Sequence, residues 1–194
     1  MDRSDEELIA AYVRGDETIF GTLVERHLGS VYSFVQQFVG DAQEAEDITQ
    51  DTFVKAWKSA LQYRVEVSKF KTWLLRIARN TAVDFLRKRK AIPLSYFDTD
   101  DGKNVLAETV EDTLELADEL FAKTEDVTFV AKMLQTLPPD GREVLVLHYT
   151  NGLTFLEIGE MLSEPLNTVK SRHYRAVRQL RKSLAMHPHQ TQIP

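Results

Sequence analysis

The amino-acid sequence predicts an all-α protein with two small helical domains joined by an acidic, flexible linker. Apolar residues recur at helical spacing along most of the chain, and no convincing period-two alternation indicates a strand. Ser4 with Glu7 and Thr154 with Glu157 have the spacing of capping boxes, which mark helix starts. Charge is uneven, with an acidic stretch between two parts that each contain a basic segment. The predicted divisions are domains at residues 1–92 and 127–185, a linker at 93–126 and a disordered tail at 186–194.

The N-terminal domain is predicted to contain four helices, over about residues 5–14, 17–39, 42–61 and 69–90. Asp16 and Asp41 are residue types that favour N-cap positions, Asp41 also has capping-box spacing with Glu44, and Gly40 marks the end of the second helix. The second helix should turn one apolar side to the core. Its inward residues are predicted to be Ile19, Leu23, Leu28, Val31, Tyr32, Val35 and Phe38.

The linker accounts for the net charge of −6. Residues 1–97 have a net charge of 0, residues 98–126 of −9 and residues 127–194 of +3. A run of like charge is usually solvated and mobile, although residues 114–121 could form a short helix. In the flanking parts, residues 69–90 hold eight Lys or Arg against one acid, and residues 170–182 hold six against none. Such clustering is typical of proteins that bind nucleic-acid phosphates.

Composition excludes several classes of protein. The chain has no cysteine, so disulfides, thiolate zinc sites and cysteine nucleophiles are ruled out. Its first residues are too acidic for a signal peptide, and no apolar run is long enough to span a membrane. We therefore expect a cytoplasmic protein with no membrane insertion of its own. We also expect no cofactor and no metal, since the Glu-x-x-His repeats of helical di-iron sites are missing and His187 and His189 lie in the predicted tail.

The C-terminal domain is predicted to contain a helix-turn-helix. Its helices should cover about residues 127–136, 140–149, 155–162 and 168–184, with a break at Pro138 and Pro139 and with Asn167 as an N-cap type for the last helix. Two short helices joined by a tight turn, the second of them basic, are typical of proteins that place a helix in the major groove.

The last helix has an inward apolar stripe at helical spacing, in which His173 should be a packed histidine rather than a ligand. The stripe consists of Val169, His173, Val177, Leu180 and Leu184. The other sides should face DNA, because Arg and Lys pair with guanine and Ser reaches base edges or phosphates. The predicted DNA-binding residues are Asn167, Thr168, Lys170, Ser171, Arg172 and Arg175. Arg178 and Arg181 should contact phosphates or make no DNA contact. The alternative interpretation of the whole last helix is a solvated cationic helix whose charges complement its dipole.

Two further surfaces are predicted in the N-terminal domain. In the third helix Asp47, Gln50 and Asp51 share an exposed acidic face. In the fourth helix, Phe70, Trp73, Leu74 and Ile77 are expected in the core, and Asp84 should pair with Arg87 or Lys88. Basic and aromatic groups are interleaved along this helix, in the manner of single-strand binding surfaces. The candidate strand- and phosphate-binding residues are Arg76, Arg79, Asn80, Arg87, Lys88, Arg89 and Lys90.

These segments resemble the extracytoplasmic-function (ECF) sigma factors, a subfamily of bacterial sigma-70 type factors. The segment LQTLPP at 134–139 and the segment NTVKSR at 167–172 resemble parts of region 4. Departures from the usual pattern are Gly159 for Ala, Asn167 for Gly and His173 for Leu, which leave fine promoter preference open. The segment AEDITQDTF at 45–53 resembles region 2.2, and FKTWLLRIARN at 70–80 with DFLR at 84–87 resembles regions 2.3 and 2.4.

The resemblance implies a factor that binds core RNA polymerase, directs promoter recognition and DNA melting, and catalyses nothing. Region 4 would bind the minus-thirty-five element and the polymerase β flap, and the fourth helix with the loop at 62–68 would capture the melted minus-ten strand. The polymerase β′ clamp helices would be bound by Glu46, Asp47, Gln50 and Asp51. An anti-sigma factor is a further partner that the resemblance implies.

Two other functions are considered on the residues alone. A stand-alone helix-turn-helix regulator would bind duplex DNA with the same C-terminal helix, but it would not need the Asp47, Gln50 and Asp51 face or the helix from Trp73 to Arg87. A helical enzyme would need converging nucleophile, base or ligand groups, and the sequence indicates none.

Overall fold

The computed structural model describes residues 3–89 and 127–186, and all the regular structure in this part of the chain is helical. The chain divides into two compact units, residues 1–92 and 93–194. No helix in the described ranges is long and apolar enough to cross a membrane. Lys90, the predicted linker with its possible short helix, and the tail from residue 187 onward lie outside the described residues.

Over its described residues, 3–89, the N-terminal unit is a bundle of four helices whose bounds lie close to the predicted ones. They are α1 (Asp5–Val13), α2 (Ile19–Val39), α3 (Ala42–Ser59) and α4 (Phe70–Lys88), and a 3-10 turn (Ala60–Gln62) follows α3. Helices α2, α3 and α4 pack against one another, and α1 lies on α2. The largest fully buried side chains of this core are Leu23, Phe34, Ile48, Phe70, Leu74 and Leu75.

Helix starts in this unit follow the predicted caps in two cases and depart from them in one. Ser4 and Glu7 form a complete capping box, and the Asp41 carboxylate accepts from the Glu44 backbone N–H at 2.9 Å. The prediction that Asp16 caps α2 is wrong. The N-cap is Thr18, and Asp16 instead accepts a hydrogen bond from the Thr18 hydroxyl at 2.7 Å.

Among the residues predicted to lie on the inward side of α2, Leu28 differs from the prediction. Leu28 was expected in the core, yet it is 48% exposed, while its neighbour His27 is only 6% exposed. The histidine can be buried there because the Asp5 carboxylate of α1 lies 2.7 Å from its Nε2 atom. A polar partner supplied by another helix satisfies the imidazole, and an apolar pattern does not reveal such a partner.

Over its described residues, 127–186, the C-terminal unit consists of four helices around a core of its own. They are α5 (Val127–Gln135), α6 (Pro139–Leu145), α7 (Phe155–Leu162) and α8 (Leu166–Met186), and α6 continues into a π-helical turn (Val146–Thr150). Thr154 and Glu157 form the predicted capping box at the start of α7. Helix α8 begins at Leu166, so Asn167 lies within its first turn and the prediction of an Asn167 N-cap is wrong.

Helices α6 and α8 approach each other closely at Gly141. A Cβ atom on Gly141 would lie only 2.9 Å from the Cβ atom of Ala176 in α8. The turn between α7 and α8 uses Ser163 in the left-handed conformation, with φ 58°. The close approach and the tight turn together fix the direction in which α8 presents its outer side.

Candidate nucleic-acid interface

The first half of α8 presents most of the predicted DNA-binding residues on its outer side. Asn167, Lys170 and Arg175 are exposed, and Thr168 and Ser171 are half-buried. The Arg175 Nε–H group donates to the Ser171 carbonyl oxygen at 3.3 Å. The two terminal amino groups of the same guanidinium take no part in this bond. These side chains form one polar, cationic surface at the N-terminal end of the second helix of a helix-turn-helix.

Arg172 does not belong to this surface, and the prediction that it points away from the core is wrong. Its residue is 4% exposed. The Nη1 atom lies 2.8 Å from Glu164 Oε2, and Nε lies 3.6 Å from Asp140 Oδ2. Arg172 adds to the buried stripe of α8, which is therefore wider than the sequence indicated. The arginine can be buried there because α6 and the turn supply acidic partners for it.

His173 is a packed histidine, as predicted. It is 4% exposed, and its Nε2 atom lies 3.0 Å from the Tyr149 hydroxyl oxygen. Its ring also contacts the rings of Phe155 and His148, with centroids 4.9 and 5.8 Å away. Burial, and secondly the proximity of His148, lowers the pKa of His173 to about 4. The ring is therefore neutral at pH 7, and it joins α8 to α7 and to the π-helical turn.

The acidic face of α3 lies at the surface of the N-terminal unit. Glu46, Asp47, Gln50 and Asp51 are all exposed. The same face continues into two large apolar residues, Val54 and Trp57, which are 45% and 54% exposed. We call Asp47, Gln50, Asp51, Val54 and Trp57 the α3 surface. The sequence analysis missed the two apolar members, although their spacing of four and seven residues from Gln50 could have identified them.

The basic side of α4 is partly engaged within its own unit. Arg76 and Arg79 are half-buried, while Asn80, Arg87, Lys88 and Arg89 are exposed. Asp84 pairs with Arg87 at 3.5 Å, which confirms the predicted pairing. The guanidinium of Arg89 pairs with Glu44 at the start of α3. We call Arg76, Arg79, Asn80, Arg87 and Lys88 the α4 basic face.

An aromatic cluster lies where the loop at 62–68 leads into α4. The ring of Tyr63 is 5.7 Å from that of Phe70 and 5.3 Å from that of Trp73. Phe70 is buried as predicted, whereas Trp73 is only half-buried. The Tyr63 hydroxyl donates to the Ser68 carbonyl oxygen at 2.9 Å and so closes the loop. Burial, followed by the charges of Glu6, Asp5 and Glu66, raises the pKa of Tyr63 to about 12, so that this donor keeps its proton.

Among residues 3–89 and 127–186, no group of three or more His, Asp and Glu side chains could hold a metal ion.

Comparisons with known proteins agree with this organisation. Residues 23–92 match the family described as Sigma-70 region 2, and residues 133–182 match Sigma-70, region 4. The chain is 33% identical to the ECF RNA polymerase sigma factor SigW of Bacillus subtilis, over 95% of this chain and 98% of that protein. It is also 33% identical to the RNA polymerase sigma-H factor of Pseudomonas aeruginosa, over 93% of each chain.

Solved structures show the same similarity. The structure of CnrH in complex with the cytosolic domain of CnrY has a TM-score of 0.68 and 27% identity, and it covers 95% of this chain and 99% of that one. The sigma factor RpoE from Bartonella quintana, solved with the anti-sigma factor NepR, has a TM-score of 0.65 and 25% identity, with 86% and 96% coverage.

A region 2 bundle followed by a region 4 helix-turn-helix defines a sigma-70 type transcription initiation factor. The chain belongs to the extracytoplasmic-function subfamily of these factors, which direct RNA polymerase to promoters and are not enzymes. The resemblance found in the sequence is thereby confirmed. The alternative of a stand-alone regulator is set aside, because the relatives match across both units rather than the helix-turn-helix alone.

Replacing Arg172 by Ala should destabilise the C-terminal unit. The change leaves the carboxylates of Asp140 and Glu164 without their shared cation, and breaking a buried pair costs roughly 3–5 kcal/mol. We expect on the order of 2–3 kcal/mol here, because both carboxylates keep some exposure to water. Hydrogen exchange of the α6 and α8 amides would measure the loss. Arg178→Ala is the control, since Arg178 is an exposed arginine of the same helix, and an equal loss in that variant would contradict the buried role.

His173 should make the C-terminal unit sensitive to acid. Its pKa is about 4 in the folded protein, below the unfolded value of 6.5. The unfolded chain therefore takes up a proton first, and stability that is complete above pH 6.5 is lost as the pH falls towards 4. The slope should approach about 1 kcal/mol per pH unit.

Thermal melting of the wild type and of His173→Leu across this pH range would check the effect. The leucine variant should lose most of the additional acid sensitivity, because it has no proton to bind. An unchanged slope in that variant would assign the sensitivity to other groups.

Proposed function

We propose that this protein holds a promoter at two points while it is bound to core RNA polymerase. Helix α8 reads the duplex minus-thirty-five element, the α4 basic face with the loop at 62–68 captures the melted minus-ten strand, and the α3 surface binds the polymerase. One observation carries the proposal. The two concentrations of positive charge lie on helices of two different compact units, and each unit matches a different sigma region.

The outer side of α8 suits base reading because of its position in the motif. In a helix-turn-helix, the N-terminal residues of the second helix contact base edges. Lys170 and Arg175 supply donors for guanine, and Asn167, Thr168 and Ser171 supply smaller polar groups around them. We leave Arg172 out of this set, because it is buried against Asp140 and Glu164.

The α4 basic face suits a single strand better than a duplex. Cations along one side of the helix can contact successive phosphates of a strand. The aromatic cluster at the start of the helix lies beside the loop that would receive an unstacked base. In the sequence, Arg89 and Lys90 extend the cationic run of α4. Opening of the duplex needs no catalytic group, since tighter binding to unpaired bases shifts the opening equilibrium.

The α3 surface combines the two kinds of group that a protein interface needs. Exposed Trp57 and Val54 can bury apolar area, and Asp47, Gln50 and Asp51, together with Glu46, can pair with cations around them. We assign this surface to the β′ clamp helices of core RNA polymerase, and we assign the β flap to the C-terminal unit.

The remaining assignments concern layout, partners and compartment. We propose functional domains at residues 1–92 and 127–185, with 93–126 as an acidic linker and 186–194 as a tail. Bartonella quintana RpoE was solved with an anti-sigma factor, which supports an anti-sigma partner for this chain as well. Core polymerase and promoter DNA are found in the cytoplasm, and we place the protein there.

Transcription in vitro tests the proposal as a whole. Core RNA polymerase with and without this protein would be given a library of promoter fragments, and new transcripts would be sequenced. Start sites that depend on the protein and share spaced upstream motifs are expected. Duplex binding without any protein-dependent start would contradict the proposal.

Replacing Lys170 or Arg175 by Ala should weaken promoter binding by the holoenzyme. Each variant is expected to cost about 1–3 kcal/mol where it removes a base contact, and to lower the slope of log affinity against log salt by about 1 where it removes a phosphate contact. Titration of minus-thirty-five duplex DNA at several salt concentrations measures both quantities. Lys182→Ala is the matched control, because Lys182 is an exposed cation near the other end of α8. Equal losses in all three variants would indicate unspecific attraction.

Replacing Trp57 by Ala, or Asp47 by Lys, should weaken binding to core polymerase. Exposed aromatic residues are frequent hot spots, so Trp57→Ala should lower the affinity by about tenfold or more. Asp47→Lys should lower mainly the association rate, with a strong salt dependence. Fluorescence anisotropy of the labelled protein with core polymerase measures both.

The controls for this experiment lie on α2. Leu28 is an exposed apolar residue and Glu25 an exposed acid, so Leu28→Ala and Glu25→Lys match the two changes in kind. If the α2 variants bind core polymerase as weakly as the α3 variants, the α3 surface is not the docking site.

A further inference from the structure

The start of α4 obtains its cap from a different helix. Its N-cap residue is Lys69, whose side chain makes no capping hydrogen bond, and no acid lies in the first turn of α4. Instead, the Glu6 carboxylate of α1 accepts from the Phe70 backbone N–H at 3.3 Å. A helix start exposes unpaired N–H groups and a partial positive charge, so an acid at that point stabilises it.

Asp5, which precedes Glu6 in the sequence, also makes contacts close to Phe70. Asp5 Oδ2 lies 2.7 Å from His27 Nε2, and Asp5 Oδ1 lies 2.8 Å from Arg26 Nη1. The His27 ring is buried and its centroid is 5.6 Å from that of Phe70. Glu6 therefore contacts the backbone of Phe70, and its neighbour Asp5 contacts His27, whose ring packs on that of Phe70.

Phe70 is also the residue at which the loop ends. Tyr63 packs on Phe70 and Trp73, and its hydroxyl closes the loop on the Ser68 carbonyl. Glu6 raises the pKa of Tyr63 more than any other single charge does, after burial, which places Glu6 near the loop as well as near the helix start. The exposed tip of the loop includes Val65 and Val67. A displacement of the α4 start would change the direction of this tip.

We propose that Glu6 is a positioning residue for strand capture: it caps α4 from α1 and so holds the loop at 62–68 in the conformation that receives the minus-ten strand. The inference rests on the proposed function of α4 and deepens it. Helix α1 lies before the residues that match Sigma-70 region 2. The match to region 2 therefore assigns no role to Glu6.

The test uses the holoenzyme assembled from core polymerase and the full-length protein. The DNA is a promoter fragment that this holoenzyme transcribes, with 2-aminopurine in the minus-ten element, in a closed duplex and in a pre-melted form. Fluorescence reports the base that is unstacked and captured. Glu6→Ala should weaken capture by about fivefold on both templates, which corresponds to the typical cost of losing a helix cap, about 1 kcal/mol. Glu6→Gln keeps an acceptor and should recover most of the loss.

Two readouts separate positioning from a general loss of structure. Binding to core polymerase should stay near the wild-type value in both Glu6→Ala and Glu6→Gln, and the thermal melting of the N-terminal unit should stay near it in Glu6→Gln. In Glu6→Ala, the preference among minus-ten bases should be reduced together with capture. Glu17→Ala is the control, since Glu17 is an exposed acid at the approach to α2. The inference is overturned if Glu6→Ala captures the strand normally, or if capture falls only as much as core binding does.

Asn80→Ala and Arg79→Ala, measured in the same experiment, test the proposed function separately. If these variants weaken capture and Glu6→Ala does not, the role of Glu6 is refuted and the role of α4 stands. If Asn80→Ala and Arg79→Ala leave capture unchanged, the assignment of the minus-ten strand to α4 fails, whatever Glu6→Ala does.

Discussion

Each of α3, α4 and α8 has to bury one side against its own unit before its other side can be held in a fixed direction. This constraint is strongest for α8, where Gly141 of α6 approaches Ala176 so closely that a methyl group would not fit without a shift. Backbones in such contact leave little freedom for rotation of the helix about its axis. The outward direction of Lys170 and Arg175 is therefore determined by packing on the opposite side rather than by the charged residues themselves.

The basic residues of the protein divide between internal and external roles, and their acidic neighbours decide which role each has. Arg172 lies between Asp140 and Glu164, and Arg89 pairs with Glu44. An arginine that pairs internally adds less to the field that attracts phosphates. The number of cations in a basic segment consequently overstates its capacity for DNA, and the distribution of nearby acids in space is the better guide.

The sequence was sufficient for local features and insufficient for contacts between distant residues. Helix bounds, the capping boxes at Ser4 and Thr154, and the packed His173 followed from short-range spacing and agree with the structure. The burial of His27 beside an exposed Leu28 and the burial of Arg172 could not follow, because both depend on acids from other segments of the chain. Asp5 of α1 contacts His27, and Asp140 of α6 and Glu164 of the turn contact Arg172. Periodicity predicted how far each apolar stripe extends along its helix. It did not predict how wide the stripe is, because ion pairs between distant residues decide which polar side chains are buried beside it.

The external cap on α4 has a physical reason in the charge that this helix has to present. An acid placed in the first turn of α4 would stabilise the helix start, but it would also stand beside the cations that are proposed to meet phosphates. A carboxylate supplied by α1 stabilises the same N–H group from the inner side, where Asp5 and His27 already form a polar contact. The helix start is then stabilised without an acid on the strand-facing side. The same division holds in α8, where Glu164 and Asp140 lie on the buried side and the outer side of the first two turns carries only neutral and basic residues.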